Sequence, residues 1–158
     1  MKIENSFCSF VDEVIKDVFC ETTGLHLQNC RGNNIAQDDV CTVHTIFHGG
    51  YKARLAFCAQ RSMMKRITEN MLEEPVTDVE DIMEYMKELL NVLCGHVVAA
   101  VFCRTKASAR FYPPCFTEGL YLPEEADSDA MIHLSYMDDY AESAMILHDQ
   151  FPGSANEI

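Results

Sequence analysis

The sequence predicts an α+β domain, because one order of elements (helix, short strand, loop, hairpin) is met twice along it. Three segments carry apolar residues at helical spacing, and two pairs of β-rich runs flank short turns. The halves cover about residues 3–60 and 77–150, joined by a linking helix over about 61–73. They share element order but no convincing residue identity. At 158 residues the chain is one domain of ordinary size, spanning 1–158.

Each element has its own signal. Phe7, Phe10, Val11, Val14, Ile15 and Val18 recur at helical spacing with charges between them, and Thr22-Thr23-Gly24 supplies a stop. Leu25 to Cys30 reads as a short strand, and the polar stretch Arg31 to Asp39 as a loop. Cys41–Phe47 and Tyr51–Cys58 flank Gly49-Gly50, which is a hairpin signal. The linking helix, Arg61 to Glu73, has an apolar side of Met63, Met64, Ile67, Met71 and Leu72, and Pro75 is expected to end it. Thr77-Asp78-Val79-Glu80 reads as a capping box that opens a long third helix at about Asp78. That helix should run to about Phe102 on a stripe of Val79, Ile82, Met83, Met86, Leu90, Leu93, Val97 and Val101. Arg104 and Lys106 then stand where cations complement a helix C-terminus. Arg110 to Cys115 is extended, but Pro113-Pro114 bars it from being an ordinary central strand. An acidic loop, Gly119–Asp129, leads to a second hairpin, Met131–Met137 and Ser143–His148, and Phe151–Ile158 reads as a frayed tail.

Charge excludes some functions. Twelve Lys and Arg stand against 25 Asp and Glu, a formal charge of −13. Nucleic acid and anionic membrane surfaces both require the opposite balance, so neither is an expected partner. The longest apolar run, Val97 to Cys103, is far below the roughly 20 residues of a membrane span. A charged start, Met1-Lys2-Ile3-Glu4, does not read as a signal peptide, so the expected location is cytoplasmic. Eight cysteines contain no Cys-x-x-Cys pair and read mostly as small buried hydrophobes in a reducing compartment.

The third helix carries the candidate chemistry. At about 100° per residue, Glu84, Glu88, Asn91 and Gly95 fall within a sector of roughly 60°, opposite the apolar stripe. Leu89, Val92, Val98 and Ala99 leave Asn91 as an isolated amide in an apolar frame, and a helix interior does not favour asparagine. By itself Glu-x-x-Asn is also what a solvated helix face can carry.

The spacing beyond the helix is more specific. The sequence resembles the CheC/CheX/FliY family of chemotaxis phosphatases, whose motif is Asp or Ser, three residues, Glu, two residues, Asn, twenty-two residues, Pro. Glu88 and Asn91 match, and Pro114 stands at the required offset, which cuts coincidence about twenty-fold. Gly95 fits the family's usual glycine, while Glu84 departs from the preferred Asp or Ser. Family members with two sites repeat Glu-x-x-Asn on the first helix; the comparable place here reads Glu13-Val14-Ile15-Lys16. One site per chain looks like the CheX branch, which implies a homodimer formed through the sheets and long helices packed on an antiparallel sheet.

The resemblance implies hydrolysis of the aspartyl phosphate on a phosphorylated CheY-type receiver. Asn91 would hold the attacking water, Glu88 would pair with the receiver's lysine, and Glu84, Gly95 and Pro114 would bind or position. The Mg2+ would be the receiver's own, so no cofactor or metal site is expected in this chain. Two other readings stand beside it: a non-catalytic receiver-binding or motor-associated module of the same fold, and a thiol-based redox sensor. For the last, no low-pKa thiol with a resolving partner is legible. His44 and His48 would lie about 13 Å apart on a strand, too far for shared chelation. His96 reads as a buried or interface histidine.

Overall fold

A computed structural model of the chain describes residues 2–30, 39–120, 131–138, 140 and 142–150. In chain order the elements are α1 (Lys2–Thr23), β1 (Gln28–Asn29), β2 (Val40–Gly49), β3 (Ala53–Gln60) and α2 (Arg61–Leu72), then α3 (Val79–Thr105), β4 (Ala109–Phe111), β5 (Cys115–Glu118), β6 (Met131–Met137) and β7 (Ser143–Gln150). The α+β reading and the element order hold. Most of the expected loop at 31–39, the acidic loop beyond residue 120 and the tail lie outside the described residues.

The ends of elements differ from expectation for local reasons. Asp78, rather than Thr77, caps α3: its carboxylate accepts from the Glu80 N–H at 3.0 Å. Asp is the better cap, and Glu80 then stands one position too early to complete a capping box. The linking helix ends on Glu73, held left-handed at φ 60° with its N–H on the Glu69 carbonyl, two residues before Pro75 acts. The first short strand shrinks to two residues. Asp12 reinforces it, accepting from Asn29 at 2.8 Å and from the Tyr136 hydroxyl at 2.7 Å. Burial raises the Asp12 pKa, but these bonds and Lys16 outweigh it and hold the carboxyl below its ordinary value.

Among the described residues seven strands make one antiparallel sheet in the order β1-β6-β7-β3-β2-β4, with β5 also on β2. Each half therefore gives its short strand to the other half's hairpin: β1 pairs with β6, while β4 and β5 pair with β2. The hairpins meet at the centre, where β3 pairs with β7. Pro113-Pro114 falls between β4 and β5 and splits the edge strand, since proline has no N–H for the ladder. Gly49, at φ 100°, turns the first hairpin, and the Gly50 N–H donates to the Ser108 carbonyl at 2.8 Å. A Cβ at either glycine would stand 3.0 Å from that oxygen.

The helices pack on one face of this sheet. Val11, Ile15 and Phe19 of α1, Met63 and Ile67 of α2, and Met86, Leu90, Leu93, Val97 and Val101 of α3 share a core with Val43, Phe47, Leu55, Phe57 and Ile146. Val79, expected on this stripe, is exposed at the start of α3. By length and composition α3 could cross a membrane, with a mean hydropathy of 1.5 over an 18-residue window. The uninterrupted run within it stays short, since His96 and Arg104 bound Val97–Cys103, and a helix that lines a protein core passes the same length and composition test. Here α3 is the core helix.

The two long helices end alike. Thr23 donates its hydroxyl to the Phe19 carbonyl at 2.6 Å and accepts from the Leu25 N–H, and Gly24 follows at φ 72° with its N–H on Cys20. Thr105 does the same with Val101 and Ala107, and Lys106 follows at φ 62° with its N–H on Phe102. Matching Thr23 to Thr105 sets an offset of 82 residues, which equates buried Val11, Ile15 and Phe19 with buried Leu93, Val97 and Val101. The repeat thus has a register that residue identity does not show. Lysine in place of glycine at the left-handed cap costs about 1 kcal/mol.

Tyr51 and His148 form a buried polar pair inside this core, the Tyr51 hydroxyl against His148 Nε2. Burial pushes the His148 pKa down to about 4 from 6.5. Between those values the unfolded chain binds a proton that the folded chain does not, so stability rises with pH across this window and is lost as pH falls through it. At pH 5 the loss from this group is expected to be about 2 kcal/mol relative to neutral pH. Urea unfolding at pH 7 and pH 5 tests this, and His148→Gln should flatten the dependence; equal pH dependence in both proteins would refute it.

Candidate active site

The outward side of α3 holds most of the predicted site residues. Glu84, Glu88, Asn91 and Gly95 face away from the core, with Glu84 and Glu88 exposed and Asn91 and Gly95 half-buried. Glu84 is paired with Lys87 at 3.5 Å. Among the described residues no cation lies within 4 Å of Glu88, and the Asn91 amide makes no hydrogen bond. These two groups, one turn apart, are therefore free to bind something outside the chain. Half-buried Val92 and Val98 flank them as expected, whereas Leu89 is buried in the core, about 160° around the helix from Asn91.

Gly95 has no internal reason to be glycine. A Cβ built there meets nothing within 4 Å, and its backbone is ordinary helix. Glycine inside a helix costs about 0.5–1 kcal/mol relative to alanine. Gly95→Ala is accordingly expected to stabilise the protein by about that amount, read as a higher urea midpoint. An unchanged or lower midpoint would mean that the space is needed internally.

Pro114 lies off the helix in the segment joining β4 to β5, and both strands pack against α3. It is buried within that edge. Periodicity reasoning missed Phe102, which is 49% exposed. It stands eleven residues beyond Asn91, about 20° around the helix and three turns along it. The same 3.6-residue count that grouped Glu88 with Asn91 could have found it.

Other candidates are not brought together. His44 contacts the Thr117 hydroxyl at 3.3 Å, and burial, then the Arg54 charge, lowers its pKa. His48 instead lies against the Tyr112 ring, with centroids 4.5 Å apart. His96 is exposed, which removes the buried alternative and leaves the interface one, because it precedes buried Val97 by about 100° of helix. The cysteines also depart from expectation: of the seven whose side chains are described, Cys41, Cys58 and Cys94 are buried, Cys30 is half-buried, and Cys20, Cys103 and Cys115 are exposed. Cys20 and Cys103 lie on outward faces of helices, and Cys115 begins the edge strand β5. Among the described residues no three His, Cys, Asp or Glu side chains gather as a metal site.

The family model for "Chemotaxis phosphatase CheX" matches residues 41–134, 94 of the 158 and thus more than half of the chain. The chain belongs to the CheX family. All of Glu84, Glu88, Asn91, Gly95 and Pro114 lie inside the matched region, and α1 lies outside it. No curated protein sequence matches this CheX-family chain. Solved structures similar to it include the CheX of Vibrio vulnificus, with a TM-score of 0.73 at 14% identity, covering 89% of this chain and 93% of that one. The CheX of Desulfovibrio desulfuricans gives 0.73 at 15% identity over 96% of this chain and 100% of that one. A Borrelia burgdorferi CheX, determined as a CheX-CheY-BeF3-Mg2+ complex, gives 0.71 at 11% identity over 89% and 94%. At such identities the likeness concerns the fold.

Proposed function

We propose that this CheX-family protein hydrolyses the aspartyl phosphate of a CheY-type response regulator. The observation that carries the reading is the free Glu88–Asn91 pair on the outward side of α3, inside the region that matches the CheX family. A similar fold has been seen in complex with CheY. Hydrolysis of a phosphoaspartate by in-line attack needs a positioned water more than it needs covalent chemistry from the protein. A neutral amide can donate to and accept from that water without competing as a nucleophile, which is the role given to Asn91. Glu88, unpaired among the described residues, accepts the receiver's active-site lysine and sets the register of the two proteins. The Mg2+ is supplied by the receiver. Glu84 draws Lys87 to itself, and Gly95 leaves room for the partner's backbone. A cytoplasmic location and pairing of two copies accompany this reading.

The alternative is a receiver-binding module without catalysis. Purified protein mixed with a phosphorylated CheY-type receiver decides between them: turnover of many receivers per chain supports the phosphatase, and binding without accelerated loss of phosphoryl group supports the module. Gly95→Gln fills the open space beside Asn91 and is expected to lower kcat/KM at least about tenfold while the fold persists.

A further inference from the structure

We infer that the receiver-docking surface continues past Asn91 to the end of α3, where Phe102 and Lys106 anchor an apolar, carboxylate-rimmed patch on the same receiver. This inference rests on the proposed function and names two residues that determine partner affinity. Phe102 is half exposed and stands on the side of α3 that carries Asn91, about 16 Å further along the axis. Between them lie Gly95 and half-buried Val98, so the surface is low and apolar and rises again at the Phe102 ring. A partner domain of roughly 100–150 residues is on the order of 30 Å across. Centred on Asn91, it reaches Glu80 in one direction and Phe102 in the other.

Lys106 adds an independent observation. Its position repeats that of Gly24, yet a lysine occupies the left-handed conformation that glycine adopts without strain. Its ammonium lies 5.6 Å from the centroid of the Phe102 ring, which places a cation beside the exposed aromatic. Among the described residues neither Lys106 nor Arg104 has a carboxylate within 4 Å. The helix is thus polarised: exposed Glu80, Asp81, Glu84 and Glu88 at its start, and exposed Arg104 and Lys106 at its end. With Glu88 and Asn91 at the phosphorylation site, the flank of the receiver about 16 Å away meets Phe102 and Lys106, where a carboxylate on that flank complements the free lysine.

The test titrates the wild-type chain and its variants with a CheY-type receiver activated by beryllofluoride, and measures turnover of the phosphorylated receiver alongside. Phe102→Ser and Lys106→Gly are each expected to weaken Kd and raise KM five- to twentyfold while kcat stays within twofold. Lys106→Gly should at the same time raise the unfolding temperature, which separates lost affinity from lost fold. Unchanged Kd in both variants overturns the anchor. Asn91→Ala that keeps full turnover overturns the phosphatase reading instead, and the anchor is then judged by Kd alone.

Discussion

Asn91→Ala is expected to lower the rate of receiver dephosphorylation by on the order of 10²–10³. The amide makes no hydrogen bond among the described residues and is half-buried, so its removal leaves the core intact. Alanine is also the better helix former, and the unfolding temperature should hold or rise slightly. The loss should fall on kcat more than on KM, because a water-positioning contact is realised in the transition state rather than in docking. Single-turnover decay of the phosphorylated receiver, with the variant in excess, reads the chemical step directly. Decay as fast as with wild type would sink the mechanism. Asn91→Asp should be no better than alanine, since a carboxylate there faces the anionic phosphoryl group.

The second large effect is on stability. Arg66→Met is expected to destabilise the fold by about 2–3 kcal/mol. Arg66 of α2 reaches the turn between β6 and β7, where Asp138 lies 3.3 Å away and Glu142 is a second carboxylate partner. The Asp138 side chain has no exposed surface, and its other oxygen accepts from the Tyr140 and Glu142 N–H groups at 3.0 and 2.9 Å. The guanidinium also lies 3.9 Å from the centroid of the Tyr140 ring, and Ser62 donates to Glu142 at 2.7 Å. Removing the cation strands a buried carboxylate, whose penalty exceeds the modest worth of an exposed pair; the 30% exposure of Arg66 keeps the figure below the fully buried case. Arg66→Met combined with Asp138→Asn should recover more than half of the loss, because asparagine keeps the turn bonds without a charge. A urea series on both variants checks this, and a loss under about 0.5 kcal/mol in the single variant would show the clasp to be idle.

What the residues announced and what they concealed divides along the range of the interactions. The third helix was legible because its apolar stripe repeats every 3.6 residues, and the same count placed Glu84, Glu88, Asn91 and Gly95 on the opposite side. The first hairpin was legible from Gly49-Gly50, and the split edge strand from Pro113-Pro114. Cap details slipped by one residue at Asp78, where two adjacent cap formers compete. Exposure was misjudged for several cysteines, because side-chain type is a poor guide to which side of an element a single residue faces. The candidate active site needed both scales: the Glu88–Asn91 pair is local, but its freedom from partners among the described residues is a property of the packing.

The equivalent positions on α1 show the same division. The sequence placed the missing second site at Glu13–Lys16, whereas the matched caps equate Glu88 and Asn91 with Ser6 and Ser9. Only backbone geometry at Thr23 and Thr105 reveals that register, since no residue identity marks it. By itself the sequence determined element order, helix polarity and the site motif, all of which rest on contacts within a few turns or on fixed spacing. The tertiary structure alone decided that each half lends its short strand to the other's hairpin and that Arg66 clasps a turn more than seventy residues away. Those depend on pairing between distant segments, whose register is set by the whole core and by no local stretch of chain.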